Sequence, residues 1–227
     1  MKKPAVRVLL IGAAGRMGKT VLDLAQSDRE IEITGQCDLG DSIEPAMKNC
    51  DVAIDFSQAD SIDEICRAAL EHGKSLVIGT TGHSQQQRKT IEETAHSAPI
   101  VLASNFSVGV NVLLWLTQKT AELLGSDFIP EIIETHHKMK KDAPSGTAKT
   151  LAEILKARGN NEIPIQSIRE GDVVGEHTII FSGPGESLEL THRAANRGIF
   201  AGGALWAAKW IINKPPGLYT MQDVLGL

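Results

Sequence analysis

The sequence predicts an α/β protein: a doubly wound parallel sheet, followed by a smaller α+β domain with a mixed, largely antiparallel sheet. Three observations carry this reading. Roughly the first hundred residues alternate short apolar runs with amphipathic segments of helical period, the pattern of βαβ units. A glycine-rich turn, Gly12-Ala13-Ala14-Gly15-Arg16-Met17-Gly18, joins the first apolar run to the first helical segment. After about Phe106 the alternation gives way to longer elements, and two arms flank Ser182-Gly183-Pro184-Gly185-Glu186 in a hairpin signature.

In chain order, residues 6–11 form an apolar strand that stops at Gly12, and Met17, Val21, Leu22, Leu24 and Ala25 recur at helical spacing. Residues 31–34 and 52–56 read as the second and third strands. A helix carrying Ile62, Ile65, Ala69 and Leu70 is stopped near Gly73. Strands at 76–78 and 100–103 bracket a polar helix over about 84–96. Beyond them lie an apolar helix over 110–124, a strand over 128–134 and a helix started by Pro144 that runs to about Arg158 before Gly159. The hairpin arms are 177–181 and 187–191; Leu188 and Leu190 alternate with Glu189 and Thr191, giving one buried and one polar face. A last helix over 204–212 turns Leu205, Trp206, Ala208 and Ile212 inward. The change of pattern divides the chain after about residue 106 into the parallel-sheet domain and the α+β domain.

At 227 residues the chain can bury one large core or two smaller ones, and 42% hydrophobic with 22% charged residues is ordinary for a soluble protein. A net charge of −5 argues against a nucleic-acid partner. The uncharged stretch after Thr94 contains Pro99, Ser104, Asn105, Ser107, Gly109 and Asn111, too much polarity for a membrane span. Cys37, Cys50 and Cys66 form no CxxC pair and read as reduced thiols. With Met1-Lys2-Lys3-Pro4 leading straight into a strand and no signal-peptide core, a cytoplasmic location is expected.

A strand-to-helix turn that approaches phosphates needs residues without bulky side chains, and the helix N-terminus then offers N–H groups to a pyrophosphate. Gly12, Gly15 and Gly18 meet that need in a Rossmann-type unit, spaced GxxGxxG rather than GxGxxG. Ala13, Ala14, Arg16 and Met17 complete the expected cofactor loop. Asp38 follows Gly18 by 20 residues, where a carboxylate accepts hydrogen bonds from an adenosine ribose. Leu39 next to it offers no charge for a 2′-phosphate, which favours NADH over NADPH, although Arg16 and Lys19 stand close in sequence as alternative phosphate partners. Gly79, Thr80 and Thr81, and Ala103, Ser104, Asn105 and Phe106, stand at carboxyl ends of strands where the nicotinamide half is expected, although Gly, Thr, Asn and Ser also serve plain turns.

The segment from Glu134 to Ala148, ETHHKMKKDAPSGTA, places two imidazoles and three ammonium groups ahead of a helix start. His and Lys supply positive charge for an anion and a transferable proton. Ser145, Gly146 and Thr147 offer first-turn N–H groups to a carboxylate. The pattern suits a small dianion protonated during reaction. A solvated basic face competes with this reading. Metal binding does not fit: adjacent residues of an extended segment point to opposite sides, and neither HExxH nor a Cys cluster assists.

This segment resembles the signature E-x-H-H-x-x-K-x-D-x-P-S-G-T of the 4-hydroxy-tetrahydrodipicolinate reductase family. GAAGRMG at 12–18, IGTTG at 78–82, ASNFSVG at 103–109 and GEHT at 175–178 extend the resemblance over nearly the whole chain. It implies NAD(P)H-dependent reduction of a cyclic dicarboxylate in the diaminopimelate route to lysine. By motif position it implies His136 and Lys140 as catalytic donors, and His137, Ser145, Gly146, Thr147 and Arg197 as substrate binders. It further implies a dinucleotide-binding domain at 1–106, completed by 198–227, a substrate-binding and oligomerisation domain at 107–197, and a homotetramer joined through the sheets of the substrate domains. The segment 39–51 is shorter than in many similar enzymes, and Leu39 stands where an NADP-accommodating base often lies. The N-terminal features alone also fit another two-domain dehydrogenase of a small carboxylic acid, or a non-catalytic dinucleotide sensor.

Overall fold

The structure, a computed structural model, describes residues 4–157 and 162–227. Its elements in chain order are β1 Val6–Ile11, α1 Arg16–Ala25, β2 Ile31–Cys37, α2 Ile43–Met47, β3 Val52–Asp55, α3 Ile62–His72, β4 Ser75–Ile78, α4 Gln85–Ala95 and β5 Pro99–Leu102. They continue with α5 Val108–Leu124, β6 Ile129–His136, α6 Gly146–Lys156, β7 Ile165–Arg169, β8 Gly175–Gly183, β9 Glu186–Ala194, α7 Gly198–Ile211, β10 Gly217–Tyr219 and α8 Met221–Leu225. The chain divides into two compact units, Met1–Ser107 with Gly198–Gly226, and Val108–Arg197 with Leu227.

The first unit is a six-stranded sheet in the order β10-β5-β4-β3-β1-β2, parallel throughout. Successive residues of a strand face opposite sides, so β1 sends Val8 and Leu10 to one core and Leu9 and Ile11 to another. The first core is closed by α1, α7 and α8, and the second by α2, α3 and α4. Central strands covered on both faces need no polar alternation, and β3 and β4 are buried at every position. The three thiols, Cys37, Cys50 and Cys66, are free and packed together in the second core. Burial pushes the Cys50 thiol up to about 11, which leaves it protonated and inert at neutral pH.

In the second unit the sheet order is β7-β6-β8-β9, with β6–β7 parallel and the other pairs antiparallel. Helices α5 and α6 pack Leu113, Leu151 and Leu155 onto Ile132, Ile179 and Phe181 of one sheet face. The turn between β8 and β9 is Pro184-Gly185, with Gly185 at φ +85°, the arrangement a Pro-Gly type II turn prefers.

Several elements differ from the sequence reading. β2 runs on to Cys37 because a register irregularity between Val8 and Leu9 absorbs Thr34 and lets Gly35 pair with Leu9. Helix α6 starts after Pro144, not at it: Ser145 is the N-cap, its hydroxyl accepting from Ala148 N–H. The expected end at Arg158 and stop at Gly159 lie outside the described residues. Leu188 is 42% exposed, because β9 is the edge strand and the helices reach only part of it. Trp206 is 47% exposed rather than inward: Ala201, Ala204, Leu205, Ala208 and Ile211 form the buried stripe of α7, and Trp206 lies beside it. The short elements α2, β7, β10 and α8 were not expected.

Candidate active site

In the first unit the chain passes from β1 to β2 on one side and returns to β3 on the other. Loops leaving β1 and β3 therefore part at a crevice, where open parallel sheets bind ligands. The crevice holds about 540 Å³ and is lined by Gly12, Gly15, Asp38, Leu39, Phe56 and Ser57 among others. Gly12 has φ +82°, and a Cβ there would lie 2.5 Å from the carbonyl oxygen of Phe56. A Cβ on Gly18 would lie 2.2 Å from the Gly12 carbonyl oxygen. The first and third glycines are thus demanded by the chain's own backbone. Gly15 is looser, with the Gly12 oxygen 3.2 Å from a Cβ, and as N-cap of α1 it makes no side-chain hydrogen bond to the first turn. That leaves the first-turn N–H groups, including those of Arg16 and Met17, oriented for an anion. Ala13 is buried beneath the loop.

Asp38 emerges where β2 ends, and the Ala14 N–H donates to both of its carboxylate oxygens at 3.0 Å. The loop and the acid are therefore one unit of structure. Leu39 is 84% exposed and carries no charge to the crevice rim. At the end of β3, Asp55 is buried; its Oδ1 accepts from the Ser57 N–H at 2.9 Å and also from the Ser57 hydroxyl. Burial pushes the Asp55 carboxyl above its ordinary range. The buried Thr80 hydroxyl sits by this carboxylate and, with Ser57, pulls against that rise. Phe56 and Phe106 meet edge to face at 5.9 Å, while Gly79, Thr81, Ala103, Ser104 and Asn105 occupy the loops after β4 and β5. A glycine cradle that a Cβ would fill and a carboxylate at a strand end fit a dinucleotide.

In the second unit the basic segment leaves β6. His136 is its last residue, 7% exposed, and its Nδ1 hydrogen-bonds Glu134 Oε2. Glu134 Oε1 accepts from Arg169 Nη2 at 2.8 Å and from the Ser145 N–H at 3.4 Å. His177 stands edge-on to His136, ring centres 5.1 Å apart, with Nε2 3.2 Å from the Ser145 hydroxyl. Lys140 Nζ donates to the Asp142 carboxylate at 2.7 and 2.9 Å. His137 is half-buried, Gly146 exposed and Thr147 half-buried at the start of α6. Ser145 is 2% exposed with both N–H and hydroxyl engaged, so it builds the turn rather than presenting a donor. Arg197 is exposed three residues after β9, which ends opposite Gly175 beside His136.

Charge in this cluster is balanced by proximity. Burial alone would raise the Glu134 carboxyl, but hydrogen bonds from Arg169, Ser167 and His136 outweigh it and hold it below the ordinary range. Burial lowers His136 below its ordinary value, against the opposing pull of Glu134. His177 is pushed down to about 4, first by burial and then by His136. Donor atoms of Glu134, His136 and His177 converge within 4.8 Å. The Arg169 guanidinium on the same carboxylate opposes a cation there, and the cluster reads as a proton network.

Residues 6–106 match the family model for the N-terminus of dihydrodipicolinate reductase, and residues 109–225 match that for its C-terminus. The chain belongs to the dihydrodipicolinate reductase family. Among similar curated proteins, a 4-hydroxy-tetrahydrodipicolinate reductase of Akkermansia muciniphila is 46% identical, with 98% of each chain covered. One from Aquifex aeolicus is 41% identical, covering 98% of this chain and 100% of its own. A solved structure, a dipicolinate-bound dihydrodipicolinate reductase from a Paenisporosarcina species, shares the fold with a TM-score of 0.84 at 23% identity, covering 96% of this chain and 98% of that one.

The sequence reading gave no role to three buried polar residues, Asp55, Glu134 and His177, or to the half-buried Arg169. Glu134 carried a usable signal. It lies two residues before His136 on a strand, and so on the same face. Arg169 carried none, because β7 was unrecognised.

Proposed function

We propose that this chain reduces the dehydrated form of 4-hydroxy-tetrahydrodipicolinate to tetrahydrodipicolinate with NAD(P)H, a step of the diaminopimelate route to lysine. The observation that carries the reading is the buried His136, backed by Glu134 and set among Lys140, His137 and the first turn of α6. When bound, the reduced nicotinamide supplies a hydride. The ring carbon conjugated with the imine accepts that pair, and electron density moves onto the ring, which then needs a proton. His136 is the proton donor in this reading, and Lys140 is the second donor that stabilises the developing charge. The N–H groups of Gly146 and Thr147, with His137 and Arg197, hold the two carboxylates, while Ser145 keeps the turn in shape. Gly12, Ala13, Ala14, Gly15, Arg16 and Met17 hold the pyrophosphate. The loops at Gly79, Thr80 and Thr81 and at Ala103, Ser104, Asn105 and Phe106 hold the nicotinamide half.

NADH is the preferred cofactor in this reading, because Asp38 offers acceptors to ribose hydroxyls while Leu39 offers no cation to a 2′-phosphate. The working form is a cytoplasmic homotetramer. No described helix is long and apolar enough to cross a membrane. Steady-state oxidation of NADH and NADPH by purified protein, with substrate generated in the assay, tests the whole. Turnover with NADH at the higher kcat/KM is expected, with Asp38→Ala raising KM for NADH. No oxidation of either cofactor overturns the activity, and a clear NADPH advantage overturns the cofactor assignment. Competition by pyridine-2,6-dicarboxylate distinguishes this substrate from other small acids.

A further inference from the structure

We propose that Glu134, clamped by Arg169, is a positioning residue that locks the His136 ring with its proton on Nδ1 and directs the transferable proton through Nε2. The inference rests on the reductase reading of His136 and concerns how that proton is aimed.

Three features of the second unit carry it. Glu134 is fully buried and shares a strand face with His136, so its carboxylate lies against Nδ1 with no loop intervening. The second oxygen is occupied by Arg169 Nη2 at 2.8 Å. That guanidinium is itself fixed: β7 pairs Arg169 directly beside His136, Nη1 donates to the Ile168 carbonyl at 2.7 Å, and Nη2 donates to the Asp142 carbonyl at 2.6 Å. A carboxylate so paired stays ionised despite burial. An ionised carboxylate accepts and cannot donate, so Nδ1 carries hydrogen in both charge states of the ring. Nε2 is then the atom that gains and loses the proton.

The opposite side of the ring agrees. Nε2 points to Gly175, where a Cβ would lie 3.1 Å from it, so the glycine leaves that nitrogen approachable. The charged groups facing the ring are Glu134 from its own strand, Arg169 from β7, and Lys140, which is paired with Asp142. His177 from β8 is held neutral, with His192 of β9 beyond it. At neutral pH the ring is thus flanked by one anion and two cations, both of them already paired with carboxylates. Burial and the two cations weaken the hold on the Nε2 proton while Glu134 strengthens it, so the carboxylate governs the pH range in which the ring can act as an acid.

The test is a nitrogen-15 spectrum of His136 in the wild-type protein, together with the pH dependence of kcat/KM in Glu134→Gln, Arg169→Met and Arg169→Lys. Nδ1 is expected to remain protonated throughout the titration while Nε2 titrates. In Glu134→Gln the alkaline fall of kcat/KM is expected at lower pH by about one unit or more, with kcat down at least about tenfold. Arg169→Met lowers kcat with unchanged NADH affinity, and Arg169→Lys, which keeps the charge, recovers part of it. A bare Nδ1 in the spectrum overturns the inference. So does an unmoved alkaline limb in a Glu134→Gln protein that still binds NADH. Should Glu134→Gln fail to fold, the wild-type spectrum still decides. A wild-type protein without turnover overturns the reductase reading and leaves that spectrum to judge the ring's orientation.

Discussion

His136 and His137 are neighbours in the chain and differ in surroundings: the first is buried against a carboxylate, the second half-buried beyond the strand end. Removing the first is expected to cost the chemistry alone. In His136→Gln, kcat should fall by about 10²–10⁴-fold, the usual worth of a placed proton donor. NADH binding, followed by cofactor fluorescence, should hold, since the glycine loop belongs to the other unit. His177 makes a different prediction, about stability. Its value in the folded protein, about 4, lies below the ordinary 6.5, so below pH 6.5 the unfolded chain binds a proton that the folded chain refuses. Stability conferred by the neutral ring is intact above 6.5 and is lost progressively as pH falls to about 4. The total is roughly 3 kcal/mol at most. Urea unfolding across that window should show a steeper loss in wild type than in His177→Gln; equal slopes would exclude the effect. At this scale the segment 134–148 was legible because its charges and its Ser-Gly-Thr turn cluster in sequence. The partners that tune it were not, because Arg169 and His177 reach it only through β7 and β8.

Among the elements, the turn between β1 and α1 is a tight joint of the first unit. Gly18 belongs to the helix, yet its α-carbon lies against the carbonyl oxygens of Gly12 and Ala13, 2.2 and 2.5 Å from any Cβ. Gly18→Ala must push helix and loop apart. A loss of about 1–3 kcal/mol, the range for overpacking, is expected in urea unfolding, together with a weaker NADH complex. Gly15→Ala should be milder in stability and comparable in cofactor affinity, because its nearest neighbour is 3.2 Å away and its role is to admit a ligand. Equal stability loss in the two variants would contradict this division. The long elements were readable from pattern: β1 and α5 as apolar runs, α1 and α3 by helical spacing, and the second hairpin arm by alternation. The short ones were not. α2 is five residues between Ser42 and Lys48, and β10 is three residues that become a strand by pairing with β5. Trp206 misled for another reason: apolar character does not fix a side of a helix, and the buried stripe of α7 was already filled by alanines.

For the whole molecule, the consequential surface is the second face of the sheet in the unit Val108–Arg197. Helices α5 and α6 cover the face of Ile132, Ile179 and Phe181. On the other face Ile133, Ile168 and Ile180 are half-buried and Ile129 is 70% exposed, among Thr135, Thr178 and Thr191. The same face carries Glu131 and Glu189 on either side of Ile180 and the Glu176–Arg193 ion pair at 3.3 Å, so it is a mixed face whose half-buried isoleucines lie among threonines and charges. In the proposed tetramer a like face from another copy covers it, in the isologous manner of symmetric oligomers. Ile180 lies on β8, one of the two inner strands, between Glu131 of β6 and Glu189 of β9, so a further carboxylate there would add like-charge repulsion to any face-to-face contact. Wild-type protein is expected to sediment as a tetramer. Ile180→Glu should yield smaller species with an unchanged fold by circular dichroism, whereas Leu123→Glu, at an 86% exposed position on α5, should leave the assembly intact. A wild-type monomer, or an Ile180→Glu tetramer, would remove the sheet face from the assembly and require another surface to carry it.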